Sequence, residues 1–578
     1  MSTSLLLLLL LSPALSCATR SPRLAVRLVE GADADLTAEQ LGMINLGPVG
    51  ELPGVYVFSL RDGDGGDEPG EEASGRKRGA NDASSRAILH ERVLWAEEQV
   101  PKARLPRGLR ADGGYWHADP LYGAQWHLLG GDGASPHMNV PAAWRAGYDG
   151  SGVRAAVVDD GLQGWHPDLA PNYDRRGSHD YDDGAASPEP APGDRHGTAV
   201  AGLLAAADDG AYCGVGVAFR ANVSGVRLTA RSVTDAEEAA ALSHGFRAGN
   251  DVYSCSWGPR DDGATLDAPG PLATAAMLIA ASEGRGGLGS VYVWAAGNGH
   301  ARGDSCAYDG YAASRLTISV AAVTRGGRRA AYSERCAANF VSAHSSGGGC
   351  WLTTTDLAGA GGASPLDCRS DFGGTSAAAP LAAGVVGLML QANSALTGRD
   401  VQHVLAVTST VVDAGAASWR RNSAGVWHSD EYGFGLVNAG LAAATAASWA
   451  GVPPQRVASN GAASAGRAIP DGGAWIEESA RFAGADGELV VEWAEVELTA
   501  SHPRRGDIEL RLVSPAGTEA TLAPPRPYDA GRDYDGWTFS ACGFWGERAE
   551  GVWRLLARDR VAGDAGELRS WSLTLYGY

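Results

Sequence analysis

The sequence contains no Cys-x-x-Cys spacing, no internal repeat, no surplus of basic charge and no run approaching about 20 uninterrupted apolar residues. Without Cys-x-x-Cys, thioredoxin-like and zinc-ribbon readings fall away. Without repeats, repeat and collagenous architectures are out. The 47 Lys plus Arg are outnumbered by 67 Asp plus Glu, and the formal charge of -20 argues against a nucleic-acid partner while admitting cationic ligands or calcium. The longest later apolar stretch, Leu381 to Leu390, is interrupted by Gly384 and Gly387 and reads as a central buried helix. The product is therefore expected to be soluble, with no transmembrane anchor. What is present is a globular composition, 44% hydrophobic and 20% charged, over 578 residues. At roughly 150 residues per domain that gives room for three to four domains.

Leu5 to Leu11 is an unbroken apolar run too short to span a bilayer, and residues 1–18 read as a signal peptide. If Cys17 leaves with it, the cysteines left are Cys213, Cys255, Cys306, Cys336, Cys350, Cys368 and Cys542, an odd number that leaves at least one thiol free or intermolecular. Residues 19–110 read as a small N-terminal domain. It holds an almost wholly polar loop from Arg61 to Ser85, with Arg76-Lys77-Arg78 near its centre. From Ala87 the segment AILHERVLWAEEQVPKAR carries apolar residues at roughly helical spacing, and Arg107-Gly108-Leu109-Arg110 follows as a candidate cut site. Across residues 111–450, short apolar strands such as Val153 to Val158, Ser224 to Leu228 and Ser290 to Ala295 alternate with helical runs, the pattern of a parallel α/β sheet. Residues 451–578 alternate strands and turns with no long helical run, as expected of an all-β domain.

Val157-Val158-Asp159-Asp160-Gly161 places an acid at the end of an apolar strand, where parallel α/β folds put their sites. Asp194-Arg195-His196-Gly197-Thr198 places a histidine at the start of an apolar helix. Gly374-Thr375-Ser376-Ala377 places a serine among tiny residues that admit a substrate backbone, at a helix N-terminus that favours developing negative charge. Acid, histidine, serine is the chain order of the subtilisin type of triad, with Ser376 as nucleophile, His196 as proton shuttle and Asp159 as the group that holds the imidazole. Between them, Trp294-Ala295-Ala296-Gly297-Asn298-Gly299 runs a strand into an amide, so Asn298 is the candidate side-chain donor to an oxyanion.

The motifs DDG, DRHGTAVAG, CGVGVA, SCSWGPRDDG, GRGGLGSVYVWAAGNG, DSCAYDGY and GGTSAAAPLAAG, in that order, resemble the kexin/furin-type proprotein convertases of the subtilisin superfamily. The tail resembles their P domain in RRGD, LVSPAGT, GVWRLLARD and LTLYG. The resemblance implies an α/β, subtilisin-like parallel-sheet catalytic domain, preceded by a small α+β inhibitory prodomain and followed by a jelly-roll P domain. It implies a monomeric, calcium-dependent serine endopeptidase that cuts secretory-pathway proproteins after paired or multiple basic residues, in the Golgi lumen or after secretion.

By the same resemblance, Asp261 and Asp309 line the pocket for the arginine before the scissile bond, Asp160 and Asp194 the next pocket, and Glu238 and Asp267 the fourth. The chemistry agrees, because a desolvated cation needs paired carboxylates. Arg260 and Ser232 stand where the family has acids, which relaxes the subsites farther from the bond. Calcium is implied at Asp119 and Asp168 with Asp209 or Asp208, and at Asp261, Asp304 and Glu334. Asp180, Asp182 and Asp183 are either a third ion site or a solvated acidic loop. The implied disulfides are Cys213 with Cys368 and Cys306 with Cys336, which leaves Cys255, Cys350 and Cys542 unassigned. Maturation is implied by self-cleavage after Arg110, with Arg78 as a second internal cut and the prodomain as inhibitor. Arg505-Gly506-Asp507 reads as a turn between strands, and Gly284, Gly286 and Gly289 close a helix ahead of a strand, the reverse of a dinucleotide site. Two competing readings are a broad-specificity secreted subtilisin and a catalytically silent binding protein on the same fold.

Overall fold

The computed structural model describes residues 23–49, 52–60, 87–88, 90–98, 117–129, 135–362, 364 and 366–578. The signal-peptide reading, the polar loop with Arg78 and the cut site ending at Arg110 lie outside the described residues. The chain divides into two compact units, residues 1–106 and 107–578.

The smaller unit is a four-stranded antiparallel sheet in the order Met43–Pro48, Val55–Leu60, Arg23–Leu28, Val93–Glu98, with the helix Ala34–Gln40. Leu24, Val26, Leu28, Ala38, Met43 and Phe58 form its core. The segment after Ala87 corrects the helical expectation: Val93–Glu98 is a strand paired with Arg23–Leu28. Val93 and Ala96 are both buried because the register shifts between Arg27 and Leu28. A bulge inserts one residue into the two-residue strand period and yields the three-residue spacing that imitates a helix.

In the larger unit, seven parallel strands run in the order Val341–His344, Thr317–Val323, Val291–Ala295, Val252–Cys255, Arg154–Asp159, Asn222–Arg227, His179–Asp180. Every residue of Thr317–Val323 and Val291–Ala295 is buried, as a parallel sheet covered on both faces requires. The helix Thr375–Ala392 is long and apolar enough to cross a membrane, yet 83% of it is buried inside the protein, so its hydrophobicity serves the core. The disulfides Cys213–Cys368 and Cys306–Cys336 are present, Cys350 is also disulfide-bonded, and Cys255 and Cys542 are free and buried.

From Arg456 onward two antiparallel sheets stack as a sandwich. One contains Gly566–Gly577, Val491–Ser501 and Tyr534–Ala541; the other contains Ile476–Phe482, Gly551–Asp559, Ile508–Val513 and Glu519–Ala523. Burial alternates along Gly551–Asp559, the signature of one face in the core and one in water. Trp493 and Trp553 are among the largest fully buried side chains. The sandwich shares a continuous core with the α/β part: Phe340 stacks on Trp493 at 5.8 Å, and Trp493 Nε1 donates to Gln402 Oε1 at 3.1 Å. Arg505–Asp507 is a short 3-10 turn between strands, with Asp507 buried.

Candidate active site

Asp159 ends the strand Arg154–Asp159, and His196 opens the helix His196–Ala205. The His196 Nδ1 lies 2.8 Å from Asp159 Oδ1, which also accepts from the Asp160 amide at 2.8 Å. The Asp159 side chain is 3% exposed and that of His196 37%, so the acid is sequestered while the imidazole reaches solvent. Burial pulls the His196 pKa down, but the charge and hydrogen bond of Asp159 outweigh it and leave the pKa above its ordinary value. Gly197 makes this approach possible, since a Cβ there would stand 2.2 Å from the Gly161 carbonyl oxygen and 2.8 Å from Asp159 Cβ.

Ser376 is the second residue of the helix Thr375–Ala392; its Oγ donates to the Ser256 carbonyl at 3.3 Å, and Ser256 Oγ donates to the Ser376 carbonyl at 3.1 Å. Gly374, just before the helix, has φ +77°, a left-handed conformation that favours glycine. Asn298 follows the strand Val291–Ala295, and its Oδ1 accepts from the Thr375 amide at 2.8 Å and from Thr375 Oγ1 at 3.0 Å. A backbone N–H can only donate, so the oxygen of the Asn298 amide faces the helix and its NH2 faces away. The carbonyl end is thereby locked to the nucleophile's own helix, while the donor end, Nδ2, donates to Asp261 Oδ2 at 3.4 Å, a long contact that an oxyanion would replace.

Carboxylates surround this edge. Asp309 Oδ1 accepts from the Tyr311 and Ala312 amides at 2.7 and 3.1 Å. Its Oδ2 would lie 2.8 Å from a Cβ placed on Gly258, so it faces the segment that follows Ser256. Burial pushes Asp309 up to about 7 against those two hydrogen bonds, with the charges of Asp261 and Asp267 adding to the rise. Asp267 forms a parallel bridge with Asp309, and Glu238 accepts from the Tyr311 hydroxyl at 2.7 Å. The Tyr311 ring stacks on Trp294 at 5.1 Å. Burial, above all, raises Glu238. Among the described residues, no arginine or lysine pairs with the carboxylates of Asp261, Asp267, Asp309 or Glu238.

Asp261, Asp304 and Glu334 converge on the Asn298-Gly299 turn. Asp261 Oδ2 accepts from the Asn298 amide at 3.0 Å and Glu334 Oε1 from the Gly299 amide at 2.8 Å. A Cβ on Gly299 would meet Asp304 Cβ at 2.6 Å and Glu334 Oε1 at 2.9 Å. Burial lifts Glu334 far above its usual range, with Asp304 and Asp261 reinforcing it. Asp304 is also bonded at 3.2 Å by Arg526 of the sandwich, whose fully buried guanidinium donates to the Thr265 carbonyl at 2.7 Å and lies over the Tyr308 ring at 3.7 Å.

Candidate ligand atoms of Asp119, Asp168 and Asp209 lie within 4.8 Å of one another. Both Asp168 carboxylate oxygens and Asp119 Oδ2 are buried without a hydrogen-bond partner among the described residues. Burial drives Asp119 to about 7 and Asp168 to about 8, with neighbouring acids adding to each rise. An orphaned, all-oxygen donor set of this kind fits calcium. Asp208, the other residue the sequence offers here, lies with its Oδ1 2.9 Å from His117 Nδ1.

Two of the acids named from sequence have partners within the fold. Asp160 accepts from the His196 amide at 3.0 Å and the Gly197 amide at 2.7 Å, and burial raises it to about 6. Asp194 accepts from Arg227 at 3.0 Å. Arg227 is a residue the sequence reading passed over. Its buried guanidinium also reaches Asp180 at 3.1 Å and Asp183 at 2.7 Å, with Asp182 at 3.9 Å. An internal cation sits in that cluster, against Asp180 and Asp182 at 4% and 2% exposure, while Asp183 is 73% exposed. The available signal was an arginine closing the apolar strand Asn222–Arg227, since buried arginines are rare unless paired.

Three family descriptions match in chain order: Peptidase S8 pro-domain over residues 23–107, Subtilase family over 150–435 and Proprotein convertase P-domain over 491–575. The chain is 38% identical to proprotein convertase subtilisin/kexin type 6 of Rattus norvegicus, across 99% of this chain and 62% of that one. It is also 38% identical to type 7 of Homo sapiens, across 94% of this chain and 69% of that one. The crystal structure of the serine protease of Aeromonas sobria is similar with a TM-score of 0.73 at 27% identity, over 82% of this chain and 98% of that one. The chain thus spans a little under two thirds of the length of the type 6 relative. A subtilase match whose fold sets His196 on Asp159 and bonds Asn298 to the helix of Ser376, in chain order between a matched prodomain and a matched P domain, places the chain in the subtilisin/kexin-type proprotein convertase family.

Proposed function

We propose that the protein is a calcium-dependent serine endoprotease that cleaves proproteins of the secretory pathway after paired or multiple basic residues. The observation that carries this reading is the junction at Asn298. One bond set fixes its side chain to the Ser376 helix, and Asp261, from an acid group without a basic partner, fixes its backbone amide at 3.0 Å. The machinery for acyl transfer and the charge that selects a cationic side chain are thereby held in one register.

In the proposed mechanism a substrate guanidinium enters beside Asp309 and Asp261 and replaces the missing internal cation. Ser376 Oγ attacks the scissile carbonyl while His196 takes its proton. Asp159 holds the imidazole in the tautomer with Nδ1–H and stabilises the imidazolium that forms. The Asn298 NH2 and the amides at the N-terminus of the Ser376 helix receive the developing oxyanion, a contribution of about 3 kcal/mol for one side-chain donor. His196 then returns the proton to the leaving amine, and water repeats the sequence on the acyl-enzyme. Asp119, Asp168 and Asp209, and separately Asp261, Asp304 and Glu334, would hold calcium, whose fixed positive charge would let the acids of each group ionise together. Self-cleavage after Arg110, with a cut at Arg78, releases the prodomain inhibitor, and the protease works in the secretory lumen.

The test compares wild type with Ser376→Ala for cleavage after Arg110 and for turnover of an Arg-x-Lys-Arg reporter, with and without calcium. The expected result is calcium-dependent processing and turnover that fall by about five to six orders of magnitude in Ser376→Ala. Folded protein inert in both forms would establish a silent binding protein, and turnover indifferent to the basic residues would establish a broad subtilisin.

A further inference from the structure

The sandwich contains a cluster that the proposed proteolytic site does not use. His502 follows the strand Val491–Ser501, Asp559 ends the strand Gly551–Asp559, and Asp564 lies in the loop between that strand and Gly566–Gly577. The side chains of His502 and Asp559 are 0% exposed, and that of Asp564 is 24% exposed. His502 Nε2 stands 3.5 Å from Asp559 Oδ2 and 3.5 Å from Asp564 Oδ1. Neither Nε2 nor Asp559 Oδ2 has a hydrogen-bond partner among the described residues.

The imidazole is fixed through its other nitrogen. His502 Nδ1 lies 2.7 Å from the Arg504 carbonyl oxygen and 3.1 Å from the Arg504 amide nitrogen, so the Arg504 backbone holds the ring. That leaves Nε2 turned to the two acids, 3.5 Å from a carboxylate oxygen of each. A histidine whose second nitrogen is held by the backbone is in the orientation that metal-ligating imidazoles adopt. Two ligand atoms bound to one tetrahedral zinc at about 2.1 Å are separated by about 3.4 Å, close to the observed spacing.

The rest of the cluster is arranged around this point. Asp559 Oδ1 is occupied by the Val561 amide at 3.0 Å, which leaves Oδ2 as the free oxygen. Asp507 borders the site with its Oδ2 3.2 Å from Arg504 Nε, so that arginine is engaged with Asp507. A cavity of about 440 Å³, lined by Asp507, Val561, Gly563 and Asp564 among others, opens beside Asp564 and gives an ion a way in.

We propose that His502, Asp559 and Asp564 form a zinc-class metal site in the β-sandwich, with one imidazole and two carboxylate ligands. The mixed nitrogen and oxygen donor set separates it from the all-oxygen acid groups of the α/β part. Zinc bound there would clamp the end of Val491–Ser501 to the loop that joins the two sheets.

The experiment uses the full chain as Ser376→Ala, to exclude self-digestion, with calcium at saturation. Zinc is titrated by calorimetry, and cobalt(II) is titrated by visible absorption as a spectroscopic substitute. One equivalent of zinc should bind, displace the cobalt band and raise the melting temperature. Asp564→Asn, at a partly exposed position, and His502→Gln should each weaken that binding by more than about tenfold. Asp564→Asn should keep the zinc-free melting temperature, which separates ligand loss from misfolding. Zinc affinity equal in the parent and in folded Asp564→Asn, or no zinc bound by the parent, would overturn the proposal.

Discussion

Two groups of acids flank the edge that carries Ser376, and they are satisfied in opposite ways. Asp180, Asp183 and Asp194 share the buried guanidinium of Arg227 at 2.7 to 3.1 Å. Asp261, Asp267, Asp309 and Glu238 share no basic partner among the described residues, and burial pushes Asp309 to about 7 and raises Glu238. The first group is complete without a ligand and contributes to folding. The second is incomplete, because like charges brought together in a low-dielectric site favour whichever cation arrives. Residue type alone does not separate a binding pocket from a structural ion network. Whether the neutralising charge belongs to the chain does.

The largest effect that bears on this contrast is expected at the unpaired group. Asp309→Asn should lower kcat/KM for arginyl substrates by about two to three orders of magnitude while leaving folding stability equal or higher. A steady-state comparison with uncharged substrates checks this, and an unchanged arginine preference would dissolve the contrast. The counterpart is Arg227→Met, which leaves the buried Asp180 carboxylate, with the buried Asp182 beside it, without its cation and should cost about 3 kcal/mol in urea unfolding. If that variant is as stable as wild type, the paired group is not structural.

A smaller effect concerns the acids proposed to bind calcium. Asp119 and Asp168 are raised from 3.8 to about 7 and about 8, so the folded state holds protons that the unfolded state has already lost. Calcium-free stability should therefore fall as pH rises from about 4 to about 8. Across the upper part of that window, calcium affinity should gain about tenfold per pH unit for each proton displaced. Calorimetric titrations at three pH values test this, and a pH-independent affinity would remove these acids from the site. The smallest effect is in the rate profile. Because the Asp159 charge outweighs burial at His196, the acid limb of kcat/KM should have its midpoint above the ordinary histidine value of 6.5, and Asp159→Asn should move it down.

The fold was legible in the sequence where the signal was local. Alternation of strands and helical runs gives the parallel sheet, and two-residue alternation after Gly451 gives the sandwich. The reading failed at Val93–Glu98, where a bulge mimics helical spacing, because periodicity cannot register an inserted residue whose cause lies on the partner strand. Within the site, the Ser376, His196, Asp159 and Asn298 motifs were readable because each is a strand end or helix start with its reactive residue at the junction. Arg526 was not readable, since it reaches Asp304 across 222 residues of chain.

The sequence by itself determined most of the elements in their order and set Asp159, His196, Asn298 and Ser376 at strand ends and helix starts, because these and apolar periodicity are local properties of the chain. Only the tertiary structure decided which acids are neutralised from within, which are left for a cation, and which imidazole nitrogen faces two carboxylates in the sandwich. These depend on separations of about 3 Å between segments tens to hundreds of residues apart, and an interaction that decays over that distance has no counterpart in sequence spacing.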